Sequence, residues 1–222
     1  MKTLKYLLGL GLIAGLFTAK AQEKPVTVIY QIEVEAPEGT GAAQSDQMMN
    51  MFKGSKMTMY FENGKSRVEM AMGPMQSIAI VDANKNQGIT LVETMGMKQA
   101  LTMGEKVIAK AEEMQKSTGL NVEKTGESKE IAGYSCQQAI ISGENQPEVE
   151  LWYTDEIDIS NAYSQYSYGD IKGMPLEMYV NQGGMKLHML ATEVNRDAIP
   201  EGSFDLTVPE GYQVKEMSPS DL

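Results

Sequence analysis

The chain reads as a single mostly-β domain, α+β at most, built on a large antiparallel sheet with a helix interrupting it. Three observations predict this. Apolar and polar residues alternate over most of the length, the period that sends successive side chains to opposite faces of a strand. Short Asn- and Gly-containing turns separate the alternating runs. Between Gly104 and Thr118 the period changes to that of an amphipathic helix.

Taken in order, Val26, Val28, Tyr30, Ile32 and Val34 form one face of a first strand. Residues 39–45 read as a loop and 46–53 as one or two helical turns. Strands over 55–62 and 65–72 are joined by Asn63-Gly64, a pair that tolerates positive φ at both positions and so marks a tight hairpin. Residues 77–82, 88–93 and 97–103 continue the meander, with Asn84-Lys85-Asn86 as its first turn. Val107, Ile108, Ala111 and Met114 then fall on one stripe of a helix over 104–118, and Gly119 is placed to end it. Strand patterning returns at 134–142 and 148–153. After a polar, Tyr-rich stretch (161–168), strands over 176–180 and 185–194 pair across residues 181–184. A last short strand is expected at 203–208, and residues 218–222 are expected to fray.

Ahead of the first strand, Lys2 and Lys5 precede an apolar run from Leu7 to Phe17, and Ala19-Lys20-Ala21 offers small residues at the positions a signal peptidase reads. The run is too short for the roughly 20 residues a membrane span needs. Residues 1–21 are therefore expected to be a cleaved export signal, leaving Gln22 first and a periplasmic or secreted domain over 22–217. No Cys follows the run, so no lipoprotein anchor is expected.

Loss of Lys2, Lys5 and Lys20 would take the formal charge from −11 to −14. Such acidity argues against nucleic acid and against electrostatic docking on anionic membrane, both of which need basic patches. One cysteine, Cys136, excludes an intramolecular disulfide, so stability must come from a hydrophobic core. His188 is the only histidine, which rules out a multi-histidine metal site or relay. Alternation puts it on the polar face of its strand, opposite Met185, Leu187 and Met189. Cys136 would need His188 as its base and an electropositive setting that an acidic chain hardly offers. No phosphate-binding Gly motif, Gly-x-Ser-x-Gly elbow or His-Glu-x-x-His occurs. No enzyme and no cofactor is expected.

Methionine is the positive signal: 18 in all, against four Phe and one Trp. Met57 and Met59, Met70 and Met72, and Met95 and Met97 are each two apart, so on strands each pair shares a face. Three readings stand open. The methionines fill an ordinary core, or they line a deformable cavity for an apolar ligand, or clustered thioethers hold Cu(I). Against the third, the pairs alternate with ordinary strand residues, and His188 and Cys136 are not placed to complete a mixed ligand set. The candidate cavity lining is Met57, Met59, Met70, Met72, Met97, Met103, Val107, Ile108, Met178, Met185 and Met189.

Four segments carry a family resemblance. They are Glu130-Ile131-Ala132-Gly133-Tyr134-Ser135-Cys136, Val149-Glu150-Leu151-Trp152-Tyr153-Thr154, the turn from Tyr60 to Lys65, and an ending with Phe204, Pro209, Gly211 and Tyr212. In their order along the chain they resemble an uncharacterised family of secreted bacterial proteins, similar to the periplasmic lipoprotein-carrier superfamily. The resemblance implies an incomplete β-barrel: a strongly curved antiparallel sheet whose concave apolar side is covered by helices, 104–118 being the natural candidate. It also implies an apolar ligand such as a lipid or lipoprotein acyl chain. The alternative is a structural protein with a closed core and an envelope protein as partner.

Overall fold

The computed structural model describes residues 24–37, 39–116, 119–143, 146–159, 171–182 and 184–222. The expected export signal and the Tyr-rich stretch at 161–168 lie outside these residues. Among the described residues the strands are β1 (Val26–Glu35), β2 (Lys56–Glu62), β3 (Lys65–Met72), β4 (Met75–Asp82), β5 (Gln87–Thr94), β6 (Met97–Met103), β7 (Asn121–Ile131), β8 (Tyr134–Gly143), β9 (Gln146–Asp158), β10 (Gly173–Gln182), β11 (Met185–Asn195) and β12 (Gln213–Glu216). Helix α1 (Ala42–Phe52) lies between β1 and β2, and α2 (Glu105–Lys116) between β6 and β7.

All twelve strands join one open, curved sheet in the order β12-β6-β5-β4-β3-β2-β1-β11-β10-β9-β8-β7. Neighbours are antiparallel except β12, which runs parallel to β6. The expected large antiparallel sheet is therefore present, and it is not closed into a barrel. Asn63 (φ 50°) and Gly64 (φ 71°) make the β2–β3 turn in the left-handed conformation that their side chains tolerate.

The register sorts every strand into two faces. On the inner face one cross-strand row runs Met70–Met57–Tyr30–Ala191, and the next runs Ile32–Met189–Met178–Leu151–Ala139. A third runs Val34–Leu187–Val180–Val149–Ile141–Val122. These residues belong to, or pack against, one large core. The opposite side chains of β1, Gln31, Glu33 and Glu35, are exposed. In β1 the polar alternation is thus the imprint of a strand whose sheet face is apolar on one side only.

A second core lies on the outer face. Ile80, Ile89, Leu91 and Ala100 are buried there beneath Phe204, Leu206, Val208 and Tyr212. The expected strand over 203–208 is not formed. Its alternation correctly puts Phe204, Leu206 and Val208 on one side, but that side packs across β4–β6 rather than joining a ladder. Arg67 pins the segment, donating to the Ser203 carbonyl (2.9 Å) while Nε holds Glu69 (2.7 Å).

One expected boundary is corrected, and one strand had no counterpart in the sequence reading. The first helix spans Ala42–Phe52, so it begins within the expected loop. Strand β7, whose sequence NVEKTGESKEI gave no apolar alternation, pairs with β8 along the sheet edge, where only Val122 and Ile131 reach the main core. At the other end of the chain Pro219–Asp221 forms a 3-10 turn, in which Ser218 and Asp221 bond each other reciprocally.

Candidate functional site

The inner face holds most of the sequence-predicted lining. Met57 and Met178 are 0% exposed, Met59 is 1% and Met189 9%, all in the main core. Met70 and Met185 are partly buried against it. Met57 and Met59 face Met70 and Val68 across the hairpin, as the Asn63-Gly64 turn requires, and Met72 shares that face at the far end of β3. Thioethers of three distant segments therefore meet in one apolar layer.

The remaining residues sit apart from that layer. Met103 lies over Gly88, whose absent Cβ would stand 2.9 Å from the Met103 methyl. Val107 (3% exposed) and Ile108 (1%) are buried on α2, which lies against β5, β6 and the C-terminal 3-10 turn. The helix thus covers one margin of the sheet. Met97 shares the inner-face row of Met72 and Met75 but is 72% exposed, because the row runs out at the β5–β6 turn.

The outer face carries a polar network that alternation alone did not reveal. Glu177, 4% exposed, is ion-paired with Lys129 and accepts hydrogen bonds from Tyr179 Oη and His188 Nε2, each at 2.8 Å. The histidine tautomer is therefore the one protonated on Nε2. The Tyr179 and His188 rings stack with centroids 4.2 Å apart and planes 2° from parallel. The Lys129 ammonium stands 4.0 Å from the Trp152 ring centroid, a cation–π geometry. Trp152 Nε1 and Gln138 Nε2 both donate to Glu150 Oε1, at 3.0 and 2.8 Å. His188 is on the polar face, as expected, but half-buried rather than exposed, because Tyr179 and Glu177 enclose it.

Burial pushes the Glu177 carboxyl up, but the hydrogen bonds from Lys129, Tyr179 and His188 and the charge of Lys129 outweigh it, so its pKa falls below the usual value. Burial, then the bond to Glu177 and its charge, push the Tyr179 hydroxyl up to about 12. Burial raises the Cys136 thiol to about 11 against the pull of Lys129. At neutral pH Cys136 is a buried thiol that donates weakly to the Tyr134 carbonyl (3.6 Å), and His188 is held by Glu177. The pair does not form a nucleophile and base. Among the described residues no group of three His, Cys, Asp or Glu side chains is arranged to hold a metal, and no helix is long and apolar enough to cross a membrane.

Beside this network, on the same face, lies a cleft of about 410 Å³ lined by Glu35, Glu148, Glu150, Tyr179, Lys186 and His188, among others. A second outer-face cleft, about 390 Å³, runs over Thr58, Tyr60, Glu69, Ile78, Leu91 and Tyr212. A third, about 520 Å³, sits at the β5–β6–β12 margin by Met97 and Gln213. Met57, Met59, Met178 and Met189 line none of these three. The outer network was legible only as isolated residues: a Glu between Leu176 and Met178 was the available signal.

Comparison with solved structures finds similarity to an uncharacterized conserved protein from Thermus thermophilus at 10% identity, covering 88% of this chain and 91% of that one, with a TM-score of 0.50. More distant is the MucA/MucB complex of Pseudomonas aeruginosa, at 14% identity over 82% of this chain and 56% of that chain, TM-score 0.36. The Mycobacterium tuberculosis lipoprotein LppX is 8% identical over 78% and 88%, TM-score 0.36. The first of these supports the fold. Comparison with curated proteins gives no match. The family model described as "Domain of unknown function (DUF4412)" matches residues 40–173, more than half of the chain, and the protein belongs to that family.

Proposed function

We propose that this protein is an exported, non-catalytic binding protein whose inner face takes up an apolar ligand, a lipid or a lipoprotein acyl chain. One observation carries the reading: six methionines from β2, β3, β10 and β11 (Met57, Met59, Met70, Met178, Met185 and Met189) meet in the inner apolar layer of an open sheet. Unbranched thioether side chains repack at low cost, so a wall made of them yields to an inserted chain where Leu or Ile would resist. Each Å² of apolar ligand surface removed from water would contribute about 25 cal/mol before association costs. Helix α2, which covers the β5–β6 margin of the sheet, would act as a lid from that side. The site would lie in the periplasm or outside the cell, with an envelope protein as the recipient of the ligand.

A second reading is favoured by the near-complete exclusion of Met57, Met59, Met174 and Met178 from solvent, which suits a filled core in a structural or envelope-interaction protein. Native mass spectrometry with lipid extraction, on protein purified from its own host, separates the two. The binding reading expects a co-purifying lipid and uptake of a fluorescent fatty-acid probe. Neither signal would leave the structural reading standing.

A further inference from the structure

The structure divides the described methionines into two populations, one buried and one partly or largely exposed. Met49 (43% exposed), Met51 (52%), Met95 (83%) and Met97 (72%) project into solvent, and Met48, Met72 and Met75 are only partly covered. Exposed thioethers gain little from burial, and an exposed helix surface is better served by charged residues. Three of these residues lie close together around one turn. Met72 and Met75 are direct cross-strand partners flanking the Gly73-Pro74 turn between β3 and β4. The end of α1 rests on that turn: a Cβ on Gly73 would stand 3.0 Å from the Met51 carbonyl oxygen and 3.4 Å from Met51 Cγ. Gly73 has φ +56°, and its missing side chain is what lets the helix come so close. Met48 lies one helical turn before Met51, on the same side of α1.

We propose that Met51, Met72 and Met75 form a site for a soft monovalent cation, Cu(I) or Ag(I), with Met48 as a further donor. Thioether sulfur is a neutral, polarizable ligand that selects such ions over Mg²⁺, Ca²⁺ or Zn²⁺, and direct cross-strand neighbours are close enough for two sulfurs to reach one ion. The net charge of −11 adds long-range attraction for a cation. Cys136, a stronger soft ligand, is sealed within β8, and the His188 ring is committed to Glu177, so neither competes. The site stands apart from the Met57 and Met59 layer and does not depend on the apolar-ligand reading.

A thioether loses no proton on metal binding, which gives the site a signature. Affinity should stay flat between about pH 5 and 8, where a His- or Cys-based site would weaken as its ligands protonate. The test is competition of the mature protein for Cu(I) against bathocuproine disulfonate under anaerobic reducing conditions, with Ag(I) titration followed by the methionine methyl resonances in NMR. The expected result is one ion per chain, flat with pH, with shifts at the methyls of Met51, Met72 and Met75. Met51→Leu/Met72→Leu/Met75→Leu should weaken binding by at least roughly tenfold, since lesser metal-site changes already cost that much. Met114→Leu, which removes an exposed thioether on α2, should not. Should the triple variant misfold, the single variants Met72→Leu and Met75→Leu carry the same test at partly exposed positions. No metal drawn from the chelator, pH-dependent binding, or full affinity without these sulfurs would each overturn the proposal.

Discussion

Lys129 neutralises Glu177 across two intervening strands, with its ammonium held between that carboxylate and the face of Trp152. The Glu177 side chain is 6% exposed and the Lys129 side chain 36%, so the acid depends on the base more than the reverse. Lys129→Met should therefore destabilise the fold by leaving a buried carboxylate without its cation. A fully buried pair broken in this way loses about 3–5 kcal/mol, and the partial exposure of Lys129 reduces the expected loss to about 2–3 kcal/mol. Urea denaturation at pH 7 measures it, and a loss under about 0.5 kcal/mol would reduce the pair to an ordinary surface contact.

The same network sets a direction for acid stability. The Glu177 pKa is lower in the folded protein than its ordinary 4.5. The folded state therefore binds this proton less readily than the unfolded chain. Its contribution is fully present above about pH 4.5 and is lost as pH falls through the folded-state value. Stability measured from pH 6 down to 3 should fall less steeply in Glu177→Gln than in the wild type. Equal slopes would show that other carboxylates dominate acid unfolding.

Met95 is expected to be a poor residue for its own backbone. It turns the β5–β6 hairpin at φ +51° beside Gly96 at φ +81°, where a side chain other than Asn, Asp or Gly is strained. At 83% exposure it loses nothing on replacement. Met95→Asn should gain about 0.5–1 kcal/mol, raising Tm by a few degrees in a scanning calorimeter. An unchanged or lower Tm would mean the turn relaxes at no cost.

Helix α2 tests the proposed function most directly. Ile108→Asp places a charge where the side chain is 1% exposed and should cost several kcal/mol, largely unfolding the domain. Val107→Ala is more discriminating. As a lid residue it should change fatty-acid probe affinity more than Tm. As plain core it should lower Tm, with no probe binding to alter.

Much of the architecture was legible because strand alternation is a local property that burial on one face imposes on the sequence. Val26 to Val34, the Asn63-Gly64 hairpin, β3 and β6 are all set by residues near in sequence, as is the helical stripe of Val107 and Ile108. Strand β7 was not legible, because an edge strand is held by backbone hydrogen bonds to one neighbour, and backbone groups are the same for every residue. The stretch 203–208 shows the converse. Its alternation fixed which side chains turn inward, but whether they meet another strand or cross a sheet face depends on residues more than a hundred positions away.

By itself, then, the sequence determined most of the sheet, most of the turns, the sidedness of the methionines and of His188, and the absence of a multi-histidine chemistry. Only the tertiary structure decided that Lys129, Trp152, Glu177, Tyr179 and His188 form one network, because their pairing follows from the register of β7 to β11. It also decided which methionines are core and which are rim. Met72 and Met97 alternate just as Met57 and Met59 do, and differ in standing at the end of the sheet, where cover is partial over Met72 and lacking over Met97.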